Sequence, residues 1–305
     1  MNASIVACQH LEATGAEQVT LLSAEATGID GVAALSEASR LALSAPSPEG
    51  THHVLARPDS APGLLGYAQV WPDHSAELVV APAARRRGIG TALWRQCVKV
   101  GAERVWAHGD LAAAQAFADA NDLEPIRSLL KMGRALTADD RSPRPLPTGY
   151  ASLTFADRAP VAADPVGELM RLNAAAFADH PEQGRLTRED LETRMAEKWF
   201  DPAGLIYVVD ADDPDAGPVA FHWTKIEPGS AAGEVYVVGV SPAYQGRGLA
   251  GPLTDLGLAY LAERGCAEVE LYVDGENTPA RTTYERAGLG VVTVDRVYAS
   301  RTAQA

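Results

Sequence analysis

A glycine-rich turn between an apolar strand and a helix is the part of the sequence that most clearly suggests chemistry. The stretch GVSPAYQGRGLAGPLT, residues 239–254, contains Gln245, Gly248 and Ala250 in the pattern Gln-x-x-Gly-x-Ala. Glycines there let main-chain N–H groups approach an anion, and the unpaired amides of the first helical turn add partial positive charge. Pro252 lies in that turn, where a missing N–H costs little. The turn therefore predicts a cradle for a pyrophosphate.

The common nucleotide fingerprints do not fit this turn. A Walker loop requires Gly-Lys-Ser/Thr, which does not follow, and the acid that binds ribose in the GxGxxG motif is not in the right place. A tight turn that binds nothing is the alternative for a single copy. A second copy makes that alternative weaker.

The turn occurs twice, because VVAPAARRRGIGTALW at 79–94 repeats its layout. An offset of 160 residues, from Pro82 to Pro242, carries Arg87 onto Arg247. Each turn follows a valine-rich strand and precedes a helix, a strand and a short helix. Such a long repeat indicates duplication of a whole domain rather than a short-period solenoid.

A proline-rich segment, ADDRSPRPLPTG, separates the copies and favours an extended linker. We therefore expect domains at about 1–140 and 149–305. The second copy predicts a mixed α/β fold that begins with a strand over YASLTF and continues with helices over 165–178 and 188–200. Thr187 is the expected N-cap of the second helix, with Asp190 three residues on. The later elements are a strand pair over LIYVVD and PVAFHWTKIE, strand 234–240, helix 246–264, strand 267–273, helix 278–287 and a strand pair over 290–299.

Composition limits the classes of function. The 305 residues suit two domains of about 150 each, and the net charge of −14 argues against non-specific binding to nucleic acid or anionic membrane. The N-terminal residues show no secretion signal, and no window is apolar enough for a membrane span. Cys8, Cys97 and Cys266 are far apart and the histidines are scattered, so we expect no disulfide framework and no metal site. A cytoplasmic monomer is expected.

The two turns resemble the acyl-CoA pyrophosphate loop of the GNAT acetyltransferases, whose pattern is Arg/Gln-x-x-Gly-x-Gly/Ala. The matching residues are Arg85, Gly88 and Gly90 in the first copy and Gln245, Gly248 and Ala250 in the second. The later ENTPARTTYERAGL is similar to the second signature of that superfamily, with Asn277 at the strand exit and Tyr284 seven residues on. The resemblance implies two tandem GNAT-like mixed-sheet domains and acetyl-CoA as co-substrate.

Three stretches, GEVYVVGVSPAYQGRGLAGPLT, LYVDGEN and HPEQG, further resemble the mycothiol-forming branch of that family, which acetylates the cysteinyl amine of a cysteinyl-glucosaminyl-inositol. The acetyl-CoA residues implied in the second domain are Val238, Gly239, Val240, Gln245, Gly246, Arg247, Gly248, Leu249, Ala250, Gly251, Asn277, Thr278, Pro279, Ala280, Arg281 and Thr282. Those of a second acetyl-CoA site are Leu78, Val79, Val80, Arg86, Arg87, Gly88, Ile89, Gly90 and Thr91. Acceptor contacts are implied for Glu37, Glu182, Lys225, Glu234 and Tyr272.

Acetyl transfer from a thioester to an amine requires removal of a proton from the ammonium, stabilisation of an oxyanion and a proton for the departing thiolate. Glu234 opens the strand that leads to the turn, so it is the candidate base, directly or through water. Tyr284 is the candidate acid, because a phenol with a pKa near ~10 is neutral at pH 7 and can donate. A main-chain N–H along 238–240 is the candidate donor to the thioester oxygen.

The first copy lacks these groups. The offset of 160 places His74 at the position of Glu234, and an offset of 167 places Asp110 and Phe117 at the positions of Asn277 and Tyr284. Phenylalanine cannot donate a proton, so we expect the first domain to be degenerate and to catalyse no transfer. Two alternatives stay open for its cradle, namely that it binds acetyl-CoA and that it only retains the fold. Two alternatives stay open, namely a GNAT enzyme for another small amine and a non-catalytic regulator that binds acetyl-CoA.

Overall fold

The computed structural model describes residues 3–43, 47–59, 62–178 and 183–301, without the side chain of residue 215. The chain divides into two compact units, Met1–Leu129 with Thr293–Ala305 and Leu130–Val292. These units differ in extent from the expected domains 1–140 and 149–305. The end of the last strand, from Thr293, belongs to the first unit, and the chain passes into the second unit after Leu129, within an earlier strand.

The first unit is a mixed sheet with helices. Its elements are β1 (Ala3–Cys8), α1 (Ala13–Asp30), α2 (Glu37–Leu41), β2 (His52–Pro58), β3 (Gly66–Val70), β4 (Ser75–Val80), α3 (Ile89–Lys99), β5 (Arg104–Ala107) and α4 (Ala112–Ala120), followed by β6 (Leu123–Ala135), which continues into the second unit. Strands β1 to β4 pair antiparallel in sequence order, and β5 lies parallel to β4.

The second unit repeats this plan. Its elements are β7 (Tyr150–Thr154), α5 (Phe155–Arg158), α6 (Pro165–Ala176), α7 (Arg188–Met195), β8 (Leu205–Asp210), β9 (Pro218–Lys225), β10 (Ala232–Val240), α8 (Ala250–Glu263), β11 (Glu268–Asp274), α9 (Thr278–Arg286) and the first residues of β12 (Gly290–Ser300). The strand order is β6-β11-β10-β9-β8-β7. Strand β10 is parallel to β11 and antiparallel to β9.

The apolar cores follow the sequence periodicity. In α3 the residues Ile89, Leu93, Trp94 and Cys97 are buried at helical spacing and pack in a cluster beneath the first sheet. In the second unit, aromatic side chains dominate the equivalent cluster, with Tyr207, Phe221 and Trp223 among the largest fully buried residues. Each sheet is thus held by a core of its own, which leaves the ends of the central strands free to build a site.

In both units the two parallel strands separate before the glycine-rich turn. The pairing of β10 with β11 runs from Ala232 to Val235, although β10 continues to Val240. The pairing of β4 with β5 ends at Glu77, although β4 continues to Val80. On the side of the neighbouring parallel strand, the last residues of each of these strands therefore have main-chain N–H and C=O groups that the neighbour does not pair with and that are available to another partner.

Most expected elements form, with different ends. Thr187 caps α7, and its side chain and that of Asp190 make a reciprocal capping box. Helix α7 ends at Met195 rather than near 200. Helix α8 begins at Ala250 rather than 246, because Gly246 and Gly248 have left-handed φ angles of 74° and 77°. The expected strand pair over 290–299 is wrong, since these residues form the single strand β12.

Candidate active site

The turn that follows β10 is shaped by two glycines and a glutamine. Gly246 and Gly248 adopt left-handed backbone angles, and the Gln245 side-chain amide donates to the carbonyl of Val240 at 3.2 Å. This bond ties the turn to the end of β10. Helix α8 starts immediately afterwards, so its unpaired first-turn N–H groups face the same turn as the glycine amides. The turn thus has the geometry of an anion cradle.

The end of β10 approaches the neighbouring strand and helix closely. A Cβ on Gly239 would lie 2.7 Å from the ring of Phe221 and 3.0 Å from the Cβ of Ala176. Glycine is therefore required there by packing, on the face opposite Val238 and Val240. Those two residues are only partly buried. Their main chain forms the separated edge of the strand, where an extended ligand would find N–H and C=O partners.

Glu234 lies in a row of charged residues that crosses adjacent strands. It stands opposite Lys225 of β9 in the antiparallel register and opposite Glu270 of β11 in the parallel register. Residues paired in this way have side chains on the same face of the sheet. Glu270 in turn binds Lys131 of β6, with Nζ 2.6 Å from Oε2. From β9 through β10 and β11 to β6, the charged row therefore consists of Lys225, Glu234, Glu270 and Lys131, in that order.

Lys225 is held among aromatic rings at one end of this row. Its side chain is only 6% exposed, and its Nζ lies 3.0 Å from Oε1 of Glu227. The same Nζ lies 5.2 Å from the centroid of Trp199 and 5.5 Å from that of Tyr236. Aromatic faces attract a cation, so these rings and the Glu227 carboxylate offset part of the cost of burying an ammonium group. Sequence reasoning found Lys225 but not the rings that hold it.

Strand β10 contains a bulge that β4 lacks. Its register against β9 shifts between Val235 and Val237, whereas β4 pairs with β3 without interruption from Ala76 to Val80. A bulge leaves one residue unpaired, turns the strand and redirects the neighbouring side chains. The bulge lies two residues after Glu234, between the candidate base and the cradle.

The bulge also corrects the comparison of the two halves. When residues are counted back from the last residue of β4 and of β10 along the pairing with the preceding strand, and the bulge is skipped, Ala76 of the first unit corresponds to Val235 of the second. The counterpart of Glu234 is therefore Ser75, and the expectation of His74 is wrong by one residue. His74 lies in the preceding turn with a left-handed φ of 69°. A serine there cannot take a proton as a carboxylate does.

Tyr284 lies on the buried face of α9, with 9% of its surface exposed. Burial raises the pKa of Tyr284 to about 12, so the phenol keeps its proton at neutral pH. Helix α9 packs against α8, the helix that begins at the cradle. The Asn277 side chain caps α9 by accepting from the N–H of Ala280 at 3.1 Å. That capping role was not expected from the sequence.

The first unit contains a cavity of about 530 Å³ at the corresponding place. Eight of the nine residues expected for a second acetyl-CoA site line it, namely Leu78, Val79, Val80, Arg86, Gly88, Ile89, Gly90 and Thr91. Arg87 does not. The Phe117 ring also lines the cavity, 3.4 Å from the place of a Cβ on Gly90. The volume falls in the range of small-molecule sites.

Two arginines shape the turn of the first unit. The Arg85 Nε donates to the carbonyl of Val80 at 3.2 Å, which repeats the contact between Gln245 and Val240. Its two terminal nitrogens each bind the carboxylate of Asp30 at 2.7 Å. Arg86 has a left-handed φ of 61° at the position of Gly246. The backbone of the cradle is thus retained even where the sequence has no glycine.

A buried charged cluster at this cavity was not expected. The Nδ1 of His108 lies 3.2 Å from Asp295, and its Nε2 lies 3.4 Å from Glu77. Ser36 donates to Glu77 through its N–H at 2.8 Å and its hydroxyl at 2.6 Å. Burial alone would lower the pKa of His108, but the two carboxylates outweigh it and raise the pKa to about 10. Burial likewise opposes the ionised Glu77, but its bonds to His108 and Ser36 lower its pKa.

The remaining expected residues are scattered. Tyr272 lies on β11 and is 46% exposed, two residues after Glu270 on the same face. Glu37 is the first residue of α2 in the first unit, and Glu182 lies outside the described residues. Among the residues that the structure describes, no three His, Cys, Asp or Glu side chains are grouped to hold a metal ion. No helix in the described ranges is long and apolar enough to cross a membrane.

Comparison with known proteins gives a consistent assignment. The mycothiol acetyltransferase of Nocardia farcinica is 44% identical over 301 residues, covering 96% of each chain. That of Thermomonospora curvata is 43% identical over 290 residues, covering 93% of each. A tandem GNAT protein from the clavulanic acid pathway shares the fold with a TM-score of 0.69 at 17% identity, covering 97% of this chain and 98% of its own.

A GCN5-related N-acetyltransferase from Sphaerobacter thermophilus likewise shares the fold, with a TM-score of 0.68 at 22% identity, over 96% of this chain and 94% of its own. The model of the acetyltransferase (GNAT) family matches residues 23–120 and 168–289, one region in each half. Together with the mixed sheets and the two cradles, these matches show that the chain belongs to the GNAT family and is an N-acetyltransferase.

Proposed function

We propose that the second unit transfers the acetyl group of acetyl-CoA to the cysteinyl amine of 1D-myo-inositol 2-(L-cysteinylamino)-2-deoxy-glucopyranoside, giving mycothiol and CoA. The acceptor is suggested by relatives named mycothiol acetyltransferase, at 44% identity over nearly the whole chain. The single structural observation that best supports transfer in this unit is the bulged strand β10, with Glu234 at one end and the cradle at the other.

Acetyl-CoA would lie along that strand. The amides of residues 245–251 suit its diphosphate, because left-handed glycines and a helix start point N–H groups towards an anion. The separated edge at Val238–Val240 suits the amides of the pantetheine arm. The N–H groups of this edge also suit the thioester oxygen, which gains negative charge when the carbonyl is attacked. Thr278–Thr282, in the first turns of α9, are proposed as further contacts.

Glu234 would act as the base. Its carboxylate accepts a proton from the cysteinyl ammonium, directly or through water, and the neutral amine then attacks the thioester carbon. A C–N bond forms and the C–S bond breaks. Tyr284 gives its proton to the departing thiolate, which is consistent with a phenol that is protonated at neutral pH. The nitrogen loses its second proton as the amide forms, and this proton restores the phenol, directly or through water. Glu182, Lys225 and Tyr272 are proposed to hold the acceptor.

We propose that the first unit binds acetyl-CoA without transferring its acetyl group. Ser75 stands where the second unit has its carboxylate, and Phe117 is the sequence counterpart of the proposed acid. Strand β4 has no bulge. The cradle and the cavity remain, so binding requires nothing that this unit lacks.

The test is transfer by the whole chain. The protein is incubated with acetyl-CoA and the cysteinyl-glucosaminyl-inositol, and CoA and the acetylated product are separated and quantified, because the acceptor has a thiol of its own. Glu234→Gln and Tyr284→Phe should each lower kcat by about 10²-fold or more, as loss of a general base or acid does. Phe117→Leu is the control and should leave kcat within about twofold.

An absence of acetylated acceptor above the enzyme-free background removes the proposed acceptor. Normal turnover by both Glu234→Gln and Tyr284→Phe, with loss on changing Phe117, would move the chemistry to the first unit.

A further inference from the structure

The charged row across the second sheet contains a lysine to which no role has been given. Lys131 lies on β6, beside β11, with its Nζ 2.6 Å from Oε2 of Glu270 and 5.8 Å from the ring centroid of Tyr272. Its side chain and that of Glu270 are 25% and 32% exposed. The pair is thus partly buried at the edge of the proposed acceptor site.

Glu270 poses a problem for the proposed base. It stands beside Glu234 in the parallel register, and neighbouring parallel strands lie about 4.8 Å apart. Two carboxylates at that spacing disfavour each other's ionised form. A base that must be ionised to accept an ammonium proton is handicapped by such a neighbour unless the neighbouring charge is cancelled.

The charged and titratable groups around Glu234 come from every strand beside it. They are Lys225 of β9 and Glu227 after it, Tyr236 of β10, Glu270 and Tyr272 of β11 and Lys131 of β6. Arg194 of α7 donates to the Tyr236 hydroxyl at 3.0 Å. Lys225 contacts Glu227 and stands opposite Glu234 on one side of the row, and Glu270 stands on the other side. Lys131 is the cation on that side.

We propose that Lys131 is a positioning residue for acetyl transfer, which binds Glu270, cancels its charge and so leaves Glu234 free to accept the amine proton near neutral pH. This inference rests on the proposed role of Glu234 as base. Burial alone would lower the pKa of Lys131, but its hydrogen bond to Glu270 and the charges around it raise that pKa, so the ammonium is charged throughout the working range. Lys131 touches no reacting atom in this scheme. It binds Glu270, and its charge acts on Glu234 from a distance.

The test is the pH profile of kcat/KM for four proteins, namely wild type, Lys131→Met, Glu270→Gln and the double variant. Lys131→Met leaves Glu270 uncompensated, so the acidic limb should move to higher pH by about 0.5–1 unit. Glu270→Gln leaves an extra positive charge, so the limb should move to lower pH. The double variant should return to within about 0.3 unit of wild type, because both charges are gone. Lys131→Arg keeps the charge and serves as the matched control.

A second readout separates this inference from the proposed acceptor. Protein labelled with ¹³C at the glutamate carboxyl carbons is titrated without acceptor, and the Glu234 resonance is identified by its loss in Glu234→Gln. Its midpoint should move in the same directions as the kinetic limb. A moved midpoint in a protein that does not acetylate this acceptor overturns the proposed acceptor and keeps the effect of Lys131 on Glu234.

The inference is overturned if Lys131→Met has the same acidic limb of the pH profile and the same Glu234 titration midpoint as wild type. It is also overturned if the double variant does not restore both to the wild-type values. Should Lys131→Met fail to fold, the isosteric Glu270→Gln decides alone, because an unmoved or raised limb in that variant contradicts the proposal.

Discussion

His108 shows how strongly one side chain can be altered by its neighbours. It is charged because it lies between Glu77 and Asp295, and its pKa of about 10 is far above the ordinary 6.5. A group whose folded pKa is raised stabilises the fold fully below its unfolded value. That contribution is then lost as the pH rises through the folded pKa. The cluster therefore stabilises the first unit up to about pH 6.5 and progressively less towards pH 10.

His108→Gln should destabilise the protein most at low pH. The substitution leaves two buried carboxylates without their cation, an arrangement that typically costs about 3–5 kcal/mol. The difference in Tm from wild type should be about 5 °C or more at pH 6 and should shrink towards pH 10. Thermal unfolding followed by circular dichroism across this range measures it.

Asp295→Asn is the matched variant for that experiment. It removes one carboxylate and keeps the shape, so the alkaline loss of stability should begin near pH 6.5 as in wild type but be complete at a lower pH, because the folded pKa of His108 is raised less. A Tm difference for His108→Gln that does not change between pH 6 and pH 10 would refute the charged imidazole.

At this scale the sequence predicts what lies in a motif and little else. Glu234 and Tyr284 were found because each stands at a fixed place relative to a glycine-rich turn or within the second signature of the superfamily. The contact of His108 with Asp295 spans 187 residues, and no local pattern relates two positions so far apart. Lys131 is likewise invisible, because its partner Glu270 lies on a strand that the sequence places in the other half.

Elements pack here through positions at which only glycine fits. Gly257 of α8 lies against the ring of His222 of β9, and a Cβ on Gly257 would overlap that ring. His222 cannot move aside easily, since it is fully buried and its Nδ1 lies 3.0 Å from the carbonyl oxygen of Leu253. The close approach of α8 to the sheet therefore depends on the missing side chain.

Gly257→Ala should lower stability by about 1–3 kcal/mol, the usual cost of overpacking, despite the better helix propensity of alanine. Gly28→Ala in α1 is the control, because a Cβ there meets nothing within 4 Å. That variant should gain about 0.5–1 kcal/mol. Urea unfolding of both variants measures the free energies, and an equal effect of the two substitutions would contradict the packing argument.

Element types were predictable, whereas the details that make a site were not. Helix α8 was expected from its apolar spacing, but its start depends on left-handed glycines that the helix cannot include. The bulge in β10 adds one residue to one strand, and an alignment by constant offset passes over it. Hence the offset of 160 found the cradle correctly and the counterpart of Glu234 wrongly.

The whole molecule consists of two copies of one plan with an exchange of strands at their ends. Residues 296–299 of β12 pair with β5 within the first unit, and residues 130–135 of β6 belong to the second. The duplication can be recognised in the sequence because motifs repeat. The exchange cannot be recognised, because nothing local in β6 or β12 says which sheet each part of the strand will join.

Two equal cradles with one proposed reaction site allow a decisive comparison. Gly88 and Gly248 have left-handed φ angles of 79° and 77° at matching places in the two turns. A Cβ on Gly88 meets nothing within 4 Å, and one on Gly248 comes no nearer than 3.8 Å to Pro147. Alanine at either position therefore adds only backbone strain, about 1–2 kcal/mol, which should distort that cradle alone.

Wild type should bind two acetyl-CoA molecules per chain in isothermal titration calorimetry, and in each single variant one site should keep its affinity while the altered site binds about tenfold more weakly or worse. Gly248→Ala should lower kcat/KM for acetyl-CoA by about tenfold or more, as a loss of 1–2 kcal/mol of binding implies, whereas Gly88→Ala should keep it within about twofold. Thermal melting checks that both variants fold. If Gly88→Ala abolished turnover while Gly248→Ala did not, the reaction would belong to the first unit. Both substitutions add the same backbone strain at matching positions, so the difference in turnover would identify the cradle that the reaction uses.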